Sequence, residues 1–226
     1  MRSVFAIAVG ALILSWAGLP HDNTLRESMI RVKMPDGHVL LVSPVEVTTA
    51  DWRRCVQDKA CTHGPKANDI AVRQPMTGVN WFDVNEFLAW ANTRAGGNLR
   101  LPMRQEWRWL NRSLEKPRPA PLFTDPRLSW AAAYGQEESP GGPVRPSGAF
   151  GATPDGVADL SGNVWEWTAS CAVSGFDGQA ANDCPAYVVE GAHEAEIPIF
   201  LRNPAAGGCA TGTPPTYLGV RLVSDE

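Results

Sequence analysis

Gly156-Val157-Ala158-Asp159-Leu160-Ser161-Gly162-Asn163-Val164-Trp165-Glu166-Trp167 gathers acids, tryptophans, glycines and an asparagine into one short segment. Neither a period of 2 nor one of 3.6 accounts for that order, so something besides simple core burial shapes it. Asp159 and Glu166 offer hard carboxylate oxygens on either side of a glycine-bearing turn. The carbonyls of Gly162 and Val164 can point at the same centre, which is the donor chemistry of a structural calcium site. A plainer reading fits the same residues: Asp159 caps the turn and Glu166 is held by backbone amides.

Outward from this stretch, the flanking sequence sets the compartment. Arg2, the apolar run from Val4 to Leu14 and the small-x-small step Ser15-Trp16-Ala17 read as an export signal cleaved after Ala17. The apolar run is shorter than the roughly 20 residues a membrane span requires, and no later segment is apolar enough to cross. A periplasmic or secreted protein is expected, with no membrane attachment after cleavage. Net charge is -4 with no run of like charges, which excludes the basic footprint of a nucleic-acid binder. Nine tryptophans against three tyrosines, with 21 glycines and 19 prolines, indicate a loop-rich fold pinned by large aromatics.

In an oxidising compartment Cys55, Cys61, Cys171, Cys184 and Cys209 read as disulfide partners rather than metal thiolates. On an unbroken helix Cys55 and Cys61 would stand about 9 Å apart, so a bridge between them requires a turn, placed at Lys59-Ala60. The odd fifth cysteine leaves one thiol unpaired within the chain, and the sequence does not say which of the last three it is.

Regular structure is sparse. Residues 30–34 and 38–42, joined by Pro35-Asp36-Gly37, predict a β-hairpin. Thr48 with Asp51 caps a short helix that buries Trp52, Cys55 and Val56 and ends near Asp58. Asn80 with Asp83 caps a longer helix carrying Val84, Phe87, Leu88 and Ala91 inward until Gly96-Gly97 stops it. A third helix over 104–113 turns Trp107 and Leu110 inward, with Met103 where a capping hydroxyl would help. Residues 116–154 and 172–196 read as irregular insertions or mobile lobes rather than a second domain. Residues 197–202 and 217–223 predict two closing strands, the first at an edge because of Pro198.

Enzyme motifs are absent: no phosphate loop, dinucleotide fingerprint, nucleophile elbow or His-Glu-x-x-His. His21, His38, His63 and His193 are scattered, with no pair at metal-ligand spacing, and read as surface histidines.

The opening segment nevertheless resembles the Gly-Asn-Val-Trp-Glu-Trp motif of the formylglycine-generating enzyme family, also called sulfatase-modifying factors. Four further segments fit in the family's order. Val45-Glu46-Val47-Thr48 resembles its Glu-Val-Thr segment, and Val79-Asn80-Trp81-Phe82-Asp83 its Val-Ser-Trp-x-Asp helix start. Arg100-Leu101-Pro102 with Glu106-Trp107 resembles Arg-Leu-Pro-Thr-x-x-Glu-Trp, and Leu218-Gly219-Val220-Arg221-Leu222 the closing Leu-Gly-Phe-Arg strand.

The resemblance implies an α+β fold of the complex C-type lectin-like kind, loop-rich with little regular structure. With the signal peptide and hairpin read above, the domain division is 1–17 signal peptide, 18–43 lead-in and hairpin, and 44–226 sulfatase-modifying-factor-like domain, the last resting on the resemblance. The resemblance also implies that Asp159, Gly162, Val164 and Glu166 hold calcium, and that Cys55 and Cys61 match a close cysteine pair of extracytoplasmic members. The catalytic pattern departs from the family's. Copper-dependent members place two cysteines five apart after Arg-Gly-Gly-Ser, because paired thiolates suit Cu(I). Here Cys209 has Pro214 in the second position and the glycine pair is displaced, which speaks against copper. The expectation is therefore an accessory factor that binds or matures another extracytoplasmic protein or peptide. The alternative is an oxidase of a peptide cysteine acting through Cys209.

Overall fold

A computed structural model describes residues 24–65, 73–114, 143–172, 184–191, 195–199 and 214–226. The expected signal peptide, Cys209 and most of the two predicted insertions lie outside the described residues.

The predicted hairpin forms as β1 (Ile30–Lys33) and β2 (Val39–Val42), with Gly37 at φ +95° in the turn. β2 also pairs antiparallel with β7 (Val223–Asp225), giving a three-stranded sheet ordered β1-β2-β7. The hairpin is thus joined to the far end of the chain through the register Leu40 to Asp225 and Val42 to Val223. A short α1 (Thr24–Glu27) precedes it.

The helices follow from local chemistry. α2 (Thr49–Gln57) starts with a reciprocal box in which Thr48 Oγ1 accepts from the Asp51 N–H and the Asp51 carboxylate accepts from the Thr48 N–H. α3 (Trp81–Ala95) repeats the device with Asn80 and Asp83, and ends at Gly96 in the left-handed region, φ +77°. α4 (Arg104–Asn111) has no side-chain cap from Met103, although Glu106 Oε2 accepts the Met103 N–H at 2.7 Å. Past α2 the chain reverses at Lys59, φ +61°, and Cys55 and Cys61 close a disulfide with Cα atoms 5.3 Å apart. This is the turn the spacing required.

A second sheet was only half expected. Its order is β5-β4-β3-β6, from β3 (Trp165–Cys171), β4 (Ala186–Glu190), β5 (Ala195–Pro198) and β6 (Leu218–Gly219). β5 lies at an edge, as Pro198 predicts, whereas β4 falls in a stretch read as irregular. The single strand expected over 217–223 is divided between two sheets. Leu218-Gly219 pairs parallel with β3, Val220 and Leu222 give their carbonyls to Val47 and Ser43, and Val223 begins β7. A second disulfide, Cys171–Cys184, joins the end of β3 to the start of the β4 segment.

Two cores result. The larger packs α2 and α3 against the second sheet through Trp52, Phe87, Trp167 and Tyr187; the smaller lies under the first sheet and holds Leu40, Trp107, Leu160 and Val223. Among the described residues, no helix is long and apolar enough to cross a membrane.

Candidate functional site

The segment 156–167 sits between the two cores. Asp159 and Asn163 both take positive φ, +68° each, so the chain coils tightly before it straightens into β3. Three side chains of this short stretch point in different directions and between them reach all four of the other motifs. Asn163 Nδ2 donates to Glu46 Oε1 at 3.0 Å, and Trp167 Nε1 donates to the Val79 carbonyl at 2.9 Å. Glu166 Oε2 accepts from Trp107 Nε1 at 2.7 Å, and both Glu166 oxygens accept from the Arg221 guanidinium, Nη2 to Oε1 at 2.7 Å. Segments far apart in sequence are thereby tied to one hub.

Arg221 is the electrostatic centre. It is fully buried, and its remaining donors go to the Ser43 and Ala158 carbonyls at 2.8 and 2.7 Å. Burial alone would lower its pKa; the charge and hydrogen bonds of Glu166, aided by Glu46 and Asp159, reverse this and hold it above the ordinary arginine value. Asp159 turns the other way, accepting the backbone N–H groups of Gly148 and of Phe150, the latter at 2.8 Å, and so pins the preceding loop. Glu46 is the exception to this satisfaction. Its Oε2 is buried with no hydrogen-bond partner among the described residues, and desolvation pushes its pKa to about 8 against the pull of Arg221.

These contacts decide how far the four predicted calcium ligands fit an ion. Both Glu166 oxygens are taken by Arg221 and Trp107, and a guanidinium already supplies the positive charge at its carboxylate. Glu166 Oε1 accepts from Arg221 Nε and Nη2, and Oε2 from Arg221 Nε and Trp107 Nε1, so each oxygen already has two donors. With both oxygens engaged, the Glu166 carboxylate does not fit as a ligand of a calcium ion shared with Asp159, Gly162 and Val164, and no chemistry is derived from such an ion. Asp159 caps a loop, as the plainer reading has it, but Glu166 is held by a guanidinium and an indole rather than by backbone amides. Arg221 and Glu46 stood in the sequence only as members of motifs; their pairing with the hub spans the whole domain, and no local spacing announces it.

The site is closed. Glu46, Asp159 and Glu166 are each 1% exposed, so no substrate reaches them and the hub works as a scaffold. The catalytic candidate, Cys209, lies outside the described residues. The four other cysteines are joined to one another, which leaves Cys209 no cysteine partner within the chain.

Comparison with known proteins agrees with this architecture. The family described as "Sulfatase-modifying factor enzyme 1-like domain" matches residues 27–226. Among solved structures, PvdO from Pseudomonas aeruginosa is similar at 17% identity and a TM-score of 0.57, with 83% of this chain and 81% of that one covered. Variable protein 1 of Treponema denticola is similar at 15% identity and a TM-score of 0.55, covering 88% of this chain and 95% of that one. At such identities the likeness is one of fold.

Proposed function

Because the chain belongs to the sulfatase-modifying factor family, matched over residues 27–226, we propose that it is an exported accessory factor that binds or matures another extracytoplasmic protein or peptide. One observation carries this reading above all. A two-thiolate copper site needs a pair of free cysteines, and the bonds Cys55–Cys61 and Cys171–Cys184 leave Cys209 alone, with Pro214 where a second thiol would stand. The buried hub then serves to hold a loop-rich surface in shape, and the loops do the recognition. Export rests on the first 17 residues as a signal peptide.

A second reading keeps the family's chemistry: a peptide-cysteine oxidase acting through Cys209. It gains support from the same pairing, since neither Cys171 nor Cys184 is left to lock that thiol away.

One set of measurements separates the two. Thiol titration of the denatured, unreduced chain is expected to count one free thiol. Oxygen uptake with a cysteine-containing peptide and Cu(I) is expected to stay at background, and affinity capture from extracytoplasmic extract to recover a defined partner. Uptake that depends on copper and disappears in Cys209→Ser would establish the oxidase instead. Capture of nothing would remove the accessory role.

A further inference from the structure

We propose that His38, Glu106 and Asp225 form a surface site for one divalent transition-metal ion of the zinc class. The three residues come from the hairpin turn, the first turn of α4 and the last strand, so only the folded chain brings them together. A ring nitrogen of His38 and one carboxylate oxygen each from Glu106 and Asp225 lie within 4.8 Å of one another. The same three residues, with Val39 and Glu226, line an open cavity of about 470 Å³. An ion with ligand bonds near 2.1 Å in tetrahedral geometry would set these atoms about 3.4 Å apart. Any closing that requires falls to side chains at the surface, His38 and Asp225 being 42% and 65% exposed.

The surroundings favour an ion. Asp36 Oδ1 accepts the His38 N–H at 3.2 Å and lies 2.5 Å from Nδ1. In the tautomer that directs the Nδ1 N–H to Asp36, Nε2 is the nitrogen that offers a lone pair, and a carboxylate stands behind the imidazole as it does behind metal-bound histidines. Arg100 is the apparent obstacle, since its guanidinium binds both carboxylates: Glu106 at 2.7 Å on each oxygen, and Asp225 at 2.6 and 3.3 Å. Glu106 Oε2 is filled, since it also accepts the Met103 N–H, but Glu106 Oε1 and each Asp225 oxygen take a single hydrogen bond from Arg100 and keep a second lone pair for an ion. Four carboxylates gather here, with Arg31 on Glu226 and Arg100 on Glu106 and Asp225. One imidazole nitrogen with two carboxylate oxygens suits zinc or cobalt(II) better than soft Cu(I), and solvent fills the open positions. A bound ion would clamp the hairpin turn and α4 to the C-terminal strand.

Calorimetric titration with zinc chloride tests this, using the full chain carrying Cys209→Ser so that no thiol competes. One ion per chain is expected, and His38→Ala is expected to weaken binding by at least about tenfold. Asp225→Asn should do the same while remaining folded, its melting temperature without zinc lowered only slightly by the weakened pairing with Arg100 at a largely exposed site, which covers the case of a poorly folded His38 variant. Absence of saturable binding, or affinity that neither substitution alters, overturns the site.

Discussion

Glu46 shows what the hub costs. It is buried beside Asp159 and Glu166, whose charges repel its own, and desolvation outweighs the help of Arg221, so its pKa stands at about 8 against an ordinary 4.5. Within that window the folded chain holds a proton that the unfolded chain has released. Stability from this group is therefore complete below the unfolded value and is lost as pH rises through the folded one, with a slope approaching about 1.4 kcal/mol per pH unit. Glu46→Gln keeps the acceptor for Asn163 and removes the titration. Urea denaturation at pH 5, 7 and 8.5 is expected to show wild-type stability declining relative to the variant, which leads by a few kcal/mol at the highest pH. Parallel pH profiles for the two proteins would contradict this. Residue identity alone located Asp159 and Glu166 in the sequence as the acids that matter. Their partners were hidden because Glu166 and Arg221 are separated by 55 residues, and charge pairing at that range has no spacing to read.

Elements built by local rules were legible, and those built by long-range pairing were not. The caps at Thr48 and Asn80 act over three residues, and the αL stop at Gly96 acts within one turn, so sequence suffices to find α2 and α3. β3 escaped because its first four residues, Trp165 to Thr168, are all buried, and a strand covered on both faces loses the alternation that marks one. The 217–223 run divided because its backbone finds partners in β3, then Val47 and Ser43, then β2, none of which is near in sequence. α4 offers a test of the local rules. Met103 sits at the N-cap position, 45% exposed and without a side-chain cap bond, while Glu106 already completes the reciprocal half of the box. Met103→Thr supplies the missing hydroxyl, and chemical denaturation is expected to show a gain of about 0.5–1 kcal/mol. A loss of stability would mean that packing of the methionine outweighs the cap.

Across the whole molecule, the ends of the described chain hold each other. β7 pairs with β2 of the N-terminal hairpin, Arg100 and Val223 exchange two backbone hydrogen bonds of 2.8 Å, and Val223 is wholly buried in the smaller core with Leu40, Val42 and Trp107. The last strand therefore closes the fold rather than decorating it, and the family match beginning at residue 27 takes in the hairpin as well. Deleting residues 223–226 would strip β2 of its inner neighbour and uncover the smaller core. Burial of Val223 alone contributes about 1.5–3 kcal/mol, and the lost ladder leaves backbone groups of β2 and Arg100 unpaired at a further cost. The hub is next in line, because Trp107, a member of that core, donates to Glu166. Thermal melting of the truncated chain is thus expected to fall by many degrees and to lose cooperativity in both cores together. A truncated chain that melts where the intact one does would show the larger core to be independent of the smaller, and would make the hub two scaffolds instead of one.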